Sequence, residues 1–332
     1  MAAARGKPRY PAPMIPIDDI RRAAERIGPH VHRTPLFSSR SLGEAAGASV
    51  YLKCESFQKT GSFKPRGALN KVLSLPEEDR GRGLVTVSAG NHAQAVAWAA
   101  SRSGVPCAVV MPAKAPAPKV AAVRGYGARI VFHEDNATLF DRLRALEQET
   151  GYVFVHPFDD PVVLAGAGTA GLEIVDDLPG VSVVVVPVGG GGLMAGVASA
   201  VKQRIPSARI VAVELAEGPG LAPALAAGKP VPVARPAKTL ADGLIPPFVG
   251  ALPLEIARQT LDGIVTVTEE EIAEAMRRLL TRAKLYVEGG GAAATAALLA
   301  GRVRLEKGDT VAVLVSGGNV DPERFPWTAP PG

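Results

Sequence analysis

Cysteine is almost absent: Cys54 and Cys107 are the only two in 332 residues. That excludes a disulfide framework and the paired spacing of a zinc site, and leaves two reduced core thiols. Aromatic residues make up only 5%. The basic residues form no stripe with interleaved rings, so no nucleic-acid partner is expected. Histidine numbers five, and His30 and His32 read as a surface pair near a helix end rather than ligands. Excess charge is small too. The net is +5, Arg5, Lys7 and Arg9 supply 3 of it, and 2 remain for everything else. Residues 1–16, rich in proline and alanine without apolar periodicity, are expected to be a disordered basic head. This head lacks the apolar core of a secretory signal, so the cytoplasm is the default compartment. One long charge-free run exists, residues 181–201, yet Pro187 and four consecutive glycines, 189–192, would break a lipid-exposed helix. No membrane span is expected.

What is present is an alternation. Hydrophobic residues reach 47%, enough to bury a sizeable α/β core in two domains. Strand-like runs fall at 50–54, 84–87, 107–111, 128–132, 152–155, 183–186, 210–214, 264–267 and 311–315, with helical patterns between them. That rhythm predicts open, mostly parallel twisted sheets flanked by helices. Thr268 and Glu271 form a capping box ahead of Ile272, Met276 and Leu279.

Four loops carry the chemistry. Lys64 lies in Thr60-Gly61-Ser62-Phe63-Lys64-Pro65-Arg66-Gly67-Ala68. Pro65 fits the first position of a helix and biases Lys64 toward an extended, cap-like geometry. The helix would bury Ala68, Leu69, Val72 and Leu73. A fixed, partly desolvated lysine beside Phe63 suits imine formation with a carbonyl. The second loop, Ser88-Ala89-Gly90-Asn91-His92, joins a strand to a helix and presents donors to a small carboxylate. Asn91 as an ordinary N-cap is the plainer alternative. The third, Gly189-Gly190-Gly191-Gly192-Leu193, has the form of a phosphate cradle. Gly190, Gly192 and Ala195 also match a dinucleotide fingerprint, with Glu214 ending the next strand. Nicotinamide binding therefore stays open, on weaker support than phosphate binding. The fourth is Ser316-Gly317-Gly318-Asn319, which alone is a turn.

Jointly these motifs resemble the pyridoxal-phosphate enzymes of fold type II, and within them the threonine/serine dehydratase branch related to serine racemases. SFKPRGA, SAGNHAQ, PVGGGGLMAG, TLADG and SGGNVD occur in the family's order over residues 17–321. The resemblance implies the tryptophan synthase β-like layout with the cofactor between domains. Residues 17–79 and 156–332 would form the large cofactor-binding domain, and 80–155 the small domain that takes the substrate carboxylate. It implies that Lys64 holds pyridoxal 5′-phosphate as a Schiff base and that Phe63 packs against the ring. Asn91 would bond the phenolic oxygen, and Gly189, Gly190, Gly191, Gly192 and Leu193 would hold the phosphate. Ser316 would face the pyridine nitrogen. Ser88, Ala89, Gly90 and His92 would bind the substrate carboxylate.

The implied reaction is β-elimination from L-threonine, L-serine or a related 3-hydroxy amino acid. Lys64 removes the Cα proton, the β-hydroxyl leaves, and the product hydrolyses to a 2-keto acid and ammonia. A neutral Ser316 leaves the ring a weaker electron sink than an aspartate would, which disfavours transamination. Racemases of the group carry an acid/base serine where Ala89 stands, so racemisation is not expected. β-Replacement remains the other alternative. Glu214 is the single candidate for the divalent metal site of many relatives; Gly220 occupies the later acidic position and Glu217 is the nearest other carboxylate, so no metal is expected. Phe158 replaces a polar cofactor contact of some relatives. The chain ends soon after SGGNVD, so control through the C-terminal regulatory domain of biosynthetic relatives is not expected. A homodimer or homotetramer is.

Overall fold

The computed structural model describes residues 14–327 apart from 235 and 237. Among the described residues ten strands build two sheets. The larger contains β1 (Leu36–Ser38), β2 (Ser49–Cys54), β7 (Val183–Pro187), β8 (Arg209–Leu215), β9 (Gly263–Val267) and β10 (Thr310–Val315), in the order β1-β2-β10-β7-β8-β9. The smaller contains β3 (Leu84–Val87), β4 (Cys107–Pro112), β5 (Arg129–His133) and β6 (Val153–Phe154), in the order β5-β4-β3-β6. Every pairing is parallel except β1 with β2. All nine expected strands are present, with ends shifted by a residue or two.

β7 shows why the valine runs form central strands. Val184 and Val186 enter one core cluster, and Val183 and Val185 enter the other on the opposite face. A parallel strand covered by helices on both faces needs such a continuous apolar run. The uncharged stretch 181–201 resolves into β7, a glycine turn and the Gly192–Arg204 helix. Among the described residues no helix is long and apolar enough to cross a membrane. That helix packs closely on the Pro161–Asp177 helix: a Cβ on Gly196 would stand 2.4 Å from the Leu164 carbonyl oxygen.

Three local expectations change. The Lys64 helix (Lys64–Ser74) starts at the lysine itself, with Phe63 as a helical N-cap and Pro65 one position further in. The missing proline N–H costs nothing there, because first-turn amides have no partner within the helix. Asn91 opens the Asn91–Ser103 helix, but the cap is Gly90, and the Asn91 side chain turns to Glu288 and Asn319 instead. Residues 1–13 of the expected head lie outside the described residues. Its end does not fit the expectation: Ile15 is buried in the larger core, and its N–H donates to Ser199 Oγ at 3.1 Å. The Thr268–Glu271 capping box forms as read. Cys54 and Cys107 are both buried, and burial pushes each thiol up to about 12, which removes them from chemistry.

Candidate active site

Four loops leave the carboxyl ends of β2, β3, β7 and β10 and meet between the two sheets, the usual ligand position in parallel α/β structures. The lysine loop and the last loop are stitched together. Ser62 and Gly317 form an antiparallel bridge, the Phe63 N–H donates to Ser316 O at 3.1 Å, and the Gly318 N–H to Gly61 O at 2.9 Å.

Lys64 is half-buried, and its Nζ donates to the Pro157 carbonyl at 2.8 Å. The amine lies 5.0 Å from the centre of the Phe63 ring. Burial lowers its ammonium from the usual 10.5 to about 8, so a substantial neutral fraction exists near physiological pH. Two residues on, Arg66 is wholly buried and donates to Glu55 and to Glu173, while Lys53 also meets Glu173. Burial alone would raise the Glu55 carboxyl, but the Arg66 guanidinium and Lys53 hold it below its ordinary range. This closed set of two cations and two carboxylates fixes the first turn that carries Lys64.

Gly189, Gly190 and Gly191 form the turn after β7, and Gly192 and Leu193 open its helix. Gly191 has φ +90°, a left-handed conformation that L side chains rarely adopt. Phe158 fills the protein side of this turn, since a Cβ on Gly190 would meet its ring at 2.2 Å. Among the described residues the backbone N–H groups of these five residues donate no hydrogen bond. Five such donors at the positive end of a thirteen-residue helix could hold a phosphate.

Asn91 is held from two sides. Its Nδ2 donates to Glu288 Oε1 at 2.6 Å, and its Oδ1 accepts from Asn319 at 2.8 Å. Ser88 folds its own loop by accepting the Gly90 N–H at 3.1 Å; the Ala89 side chain adds no polar atom. His92 is buried, and its Nε2 donates to the Val155 carbonyl at 3.0 Å. Its Nδ1 is buried without a partner among the described residues. Burial, then the Lys64 charge, holds the ring neutral. The His92 side chain is thus buried, whereas Ser88, Ala89 and Gly90 are only partly so. Ser316 is buried at the end of β10, its hydroxyl 3.4 Å from the Gly290 carbonyl.

Glu214 is fully committed elsewhere. Its carboxylate accepts the N–H groups of Gly220, Leu221 and Ala222, closing the loop before the Leu221–Ala227 helix. Among the described residues no group of three or more metal-ligating side chains occurs.

Sequence reasoning missed Glu288. It stands one residue before the Gly289–Leu299 helix, is buried, and bonds a site residue. A signal was available, because no charged residue follows it until Arg302; a carboxylate opening such an apolar helix is buried with it. Burial, then the Asp242 charge, pushes its carboxyl up to about 7.

The donor set therefore fits pyridoxal phosphate. It offers a reactive amine, a phosphate cradle, an amide with one spare N–H and a neutral hydroxyl. The family of pyridoxal-phosphate dependent enzymes matches residues 27–317. L-threonine ammonia-lyase of Thermotoga maritima is 46% identical over 312 residues, covering 93% of this chain and 76% of that protein. The crystal structure of T.th. threonine deaminase superposes with a TM-score of 0.86 at 45% identity, covering 92% of this chain and 98% of that one. Maize serine racemase superposes with a TM-score of 0.89 at 38% identity, covering 95% of each. On these grounds the chain belongs to the pyridoxal-phosphate dependent enzymes of fold type II.

Proposed function

We propose that this protein is an ammonia-lyase that converts L-threonine, L-serine or a related 3-hydroxy amino acid to a 2-keto acid and ammonia. The observation that carries this reading is the placement of Lys64 as the half-buried amine at the start of its helix, its Nζ held on the Pro157 carbonyl and its pKa lowered by burial. Bound, pyridoxal phosphate supplies an electron sink for bond cleavage next to the substrate nitrogen. Lys64 holds the cofactor and, once freed, takes the substrate Cα proton on Nζ; its lowered pKa makes it a base at neutral pH. The N–H groups of Gly189, Gly190, Gly191, Gly192 and Leu193 bind the phosphate, Phe63 packs against the ring, and the spare Asn91 N–H binds the phenolic oxygen. Ser316 meets the pyridine nitrogen as a neutral group. The Ser88, Ala89, Gly90 and His92 segment binds the substrate carboxylate chiefly through the Ala89 and His92 N–H groups, since those of Ser88 and Gly90 are given to the Val110 carbonyl and to Ser88 Oγ. Residues 80–155 serve as the substrate-carboxylate domain, and 17–79 with 156–332 as the cofactor domain.

The names of the relatives support elimination from threonine. Ala89 argues against two-base racemisation, since the racemases of the family use a serine there. β-Replacement has no residue of its own in this site to favour it. We place the enzyme in the cytoplasm as a homo-oligomer. Phe37 on edge strand β1 and its ring partner Phe57 remain 49% and 50% exposed, an apolar surface suited to self-association. The test is release of keto acid and ammonia from threonine, serine, 3-hydroxyaspartate and phenylserine. Stoichiometric release from at least one supports the reading. Cofactor binding without release from any would move the assignment to β-replacement.

A further inference from the structure

The turn after β6 connects the lysine to the rest of the site, and an imidazole shapes it. Val155 is clamped first. Its N–H donates to Val85 O at 2.9 Å, and its carbonyl accepts from Thr86 Oγ1 and His92 Nε2. The chain then turns back on His156, whose Nδ1 accepts the N–H of Phe158 at 3.2 Å and of Asp159 at 2.8 Å.

The Phe158 N–H and the Pro157 carbonyl belong to one peptide group. Among the described residues no peptide bond is cis. In a trans peptide the N–H and C=O point in opposite directions. Anchoring the N–H on the imidazole therefore aims the carbonyl the other way, and there it meets Lys64 Nζ at 2.8 Å. Pro157 has no N–H of its own to compete for the anchor.

Only a neutral imidazole can play this part, because Nδ1 must offer a lone pair. Burial supplies that condition, holding His156 at about 4 against the opposing pull of Asp159 and Asp160. The ring cannot easily turn away. Its centre lies 4.9 Å from that of Phe158, 5.3 Å from Phe154 and 6.3 Å from Phe140.

We propose that His156 is a positioning residue for Lys64: it sets the Pro157–Phe158 peptide plane, and the carbonyl of that plane holds and aims the free amine. This rests on the reading that Lys64 is the cofactor-bearing lysine. The same turn carries Phe158 onto Gly190, so the amine and the phosphate cradle share one support.

Two substitutions separate aiming from packing. His156→Phe keeps an aromatic ring and removes the acceptor, whereas His156→Asn places an amide oxygen near the position of Nδ1. Each cofactor-free protein is mixed with pyridoxal phosphate, and the growth of the visible Schiff-base band is followed. His156→Phe is expected to slow capture by about 10-fold or more, and to lower kcat with KM held within about 3-fold. His156→Asn is expected to recover capture to within about 3-fold of the wild type. Capture by His156→Phe at the wild-type rate, or equal slowing in both variants, overturns the proposal. Should both variants fail to fold, nitrogen NMR of the wild-type imidazole decides. A proton on Nε2 alone supports the proposal, and a proton on Nδ1 overturns it. A wild type that forms no band removes the Lys64 reading itself, whereas a normal wild-type band with unaltered His156→Phe kinetics removes only the role of His156.

Discussion

Asn319 donates to Asn91 Oδ1 at 2.8 Å, and that bond settles which way the Asn91 amide faces. The logic starts one contact earlier. Asn319 Nδ2 also donates to the Thr60 carbonyl at 2.7 Å, and a carbonyl can only accept. Both N–H groups of Asn319 are thereby placed. Asn91 must present its oxygen to Asn319 and its nitrogen to Glu288, where the bond is 2.6 Å long. One Asn91 N–H remains, and it is a donor suited to a phenolic oxygen.

Asn319→Ala releases this arrangement and lets the Asn91 amide rotate. We expect cofactor affinity to fall by about 10-fold, the size of one lost charge-assisted hydrogen bond, with a shift in the bound cofactor's absorbance maximum. Equilibrium titration of the cofactor-free protein checks both. Unchanged affinity with an unchanged spectrum would show that Asn91 is oriented by other contacts.

Glu288 predicts a pH dependence of stability. Its carboxyl titrates at about 7 in the folded protein against an ordinary 4.5, chiefly through burial and then the Asp242 charge. The folded state therefore holds the extra proton between these values. The contribution is whole below pH 4.5 and is lost as pH rises through 7. It amounts to at most about 3 kcal/mol. Glu288→Gln keeps an acceptor for Asn91 and cannot ionise. Melting of the cofactor-free variant should match the wild type at pH 5 and exceed it by several degrees at pH 8. Parallel melting curves across that range would contradict the burial argument.

The Glu55–Arg66 pair supports the lysine without touching substrate. Both side chains are buried, with Arg66 Nε to Glu55 Oε2 at 2.7 Å. Glu55→Ala leaves a buried guanidinium short of one partner, and we expect a loss of about 3–5 kcal/mol by denaturant unfolding. A loss below about 1 kcal/mol would mean that Glu173 alone neutralises Arg66.

Glu214 predicts indifference to metal removal. Three backbone N–H groups occupy its carboxylate, so chelation should leave the melting temperature unchanged. Glu214→Ala should cost about 1–3 kcal/mol through those uncapped amides. A melting temperature that falls on chelation and returns with a divalent cation would refute this.

Much of this was legible in the residues. β-Branched runs such as 183–186 declare buried parallel strands, and the glycine and lysine loops carry their chemistry in adjacent residues. β1 was not legible: Leu36-Phe37-Ser38 is three residues long, follows Pro35, and pairs only along one edge. Glu288 and His156 were missed for a different reason. The uncharged run after Glu288 marks its burial but not its partner, which lies 197 residues away, and the role of His156 comes from a backbone plane that leaves no spacing to read. Asn91 shows the converse. Its sequence context suited a helix cap, but a long-range pair of side chains claimed the amide first.

The most direct test of the account reduces the protein with borohydride after addition of pyridoxal phosphate and maps the modified peptide. The account predicts one cofactor per chain, attached to Lys64, with no adduct and no visible band in Lys64→Ala. Attachment to another lysine, or a Lys64→Ala variant that still forms the band, would contradict it.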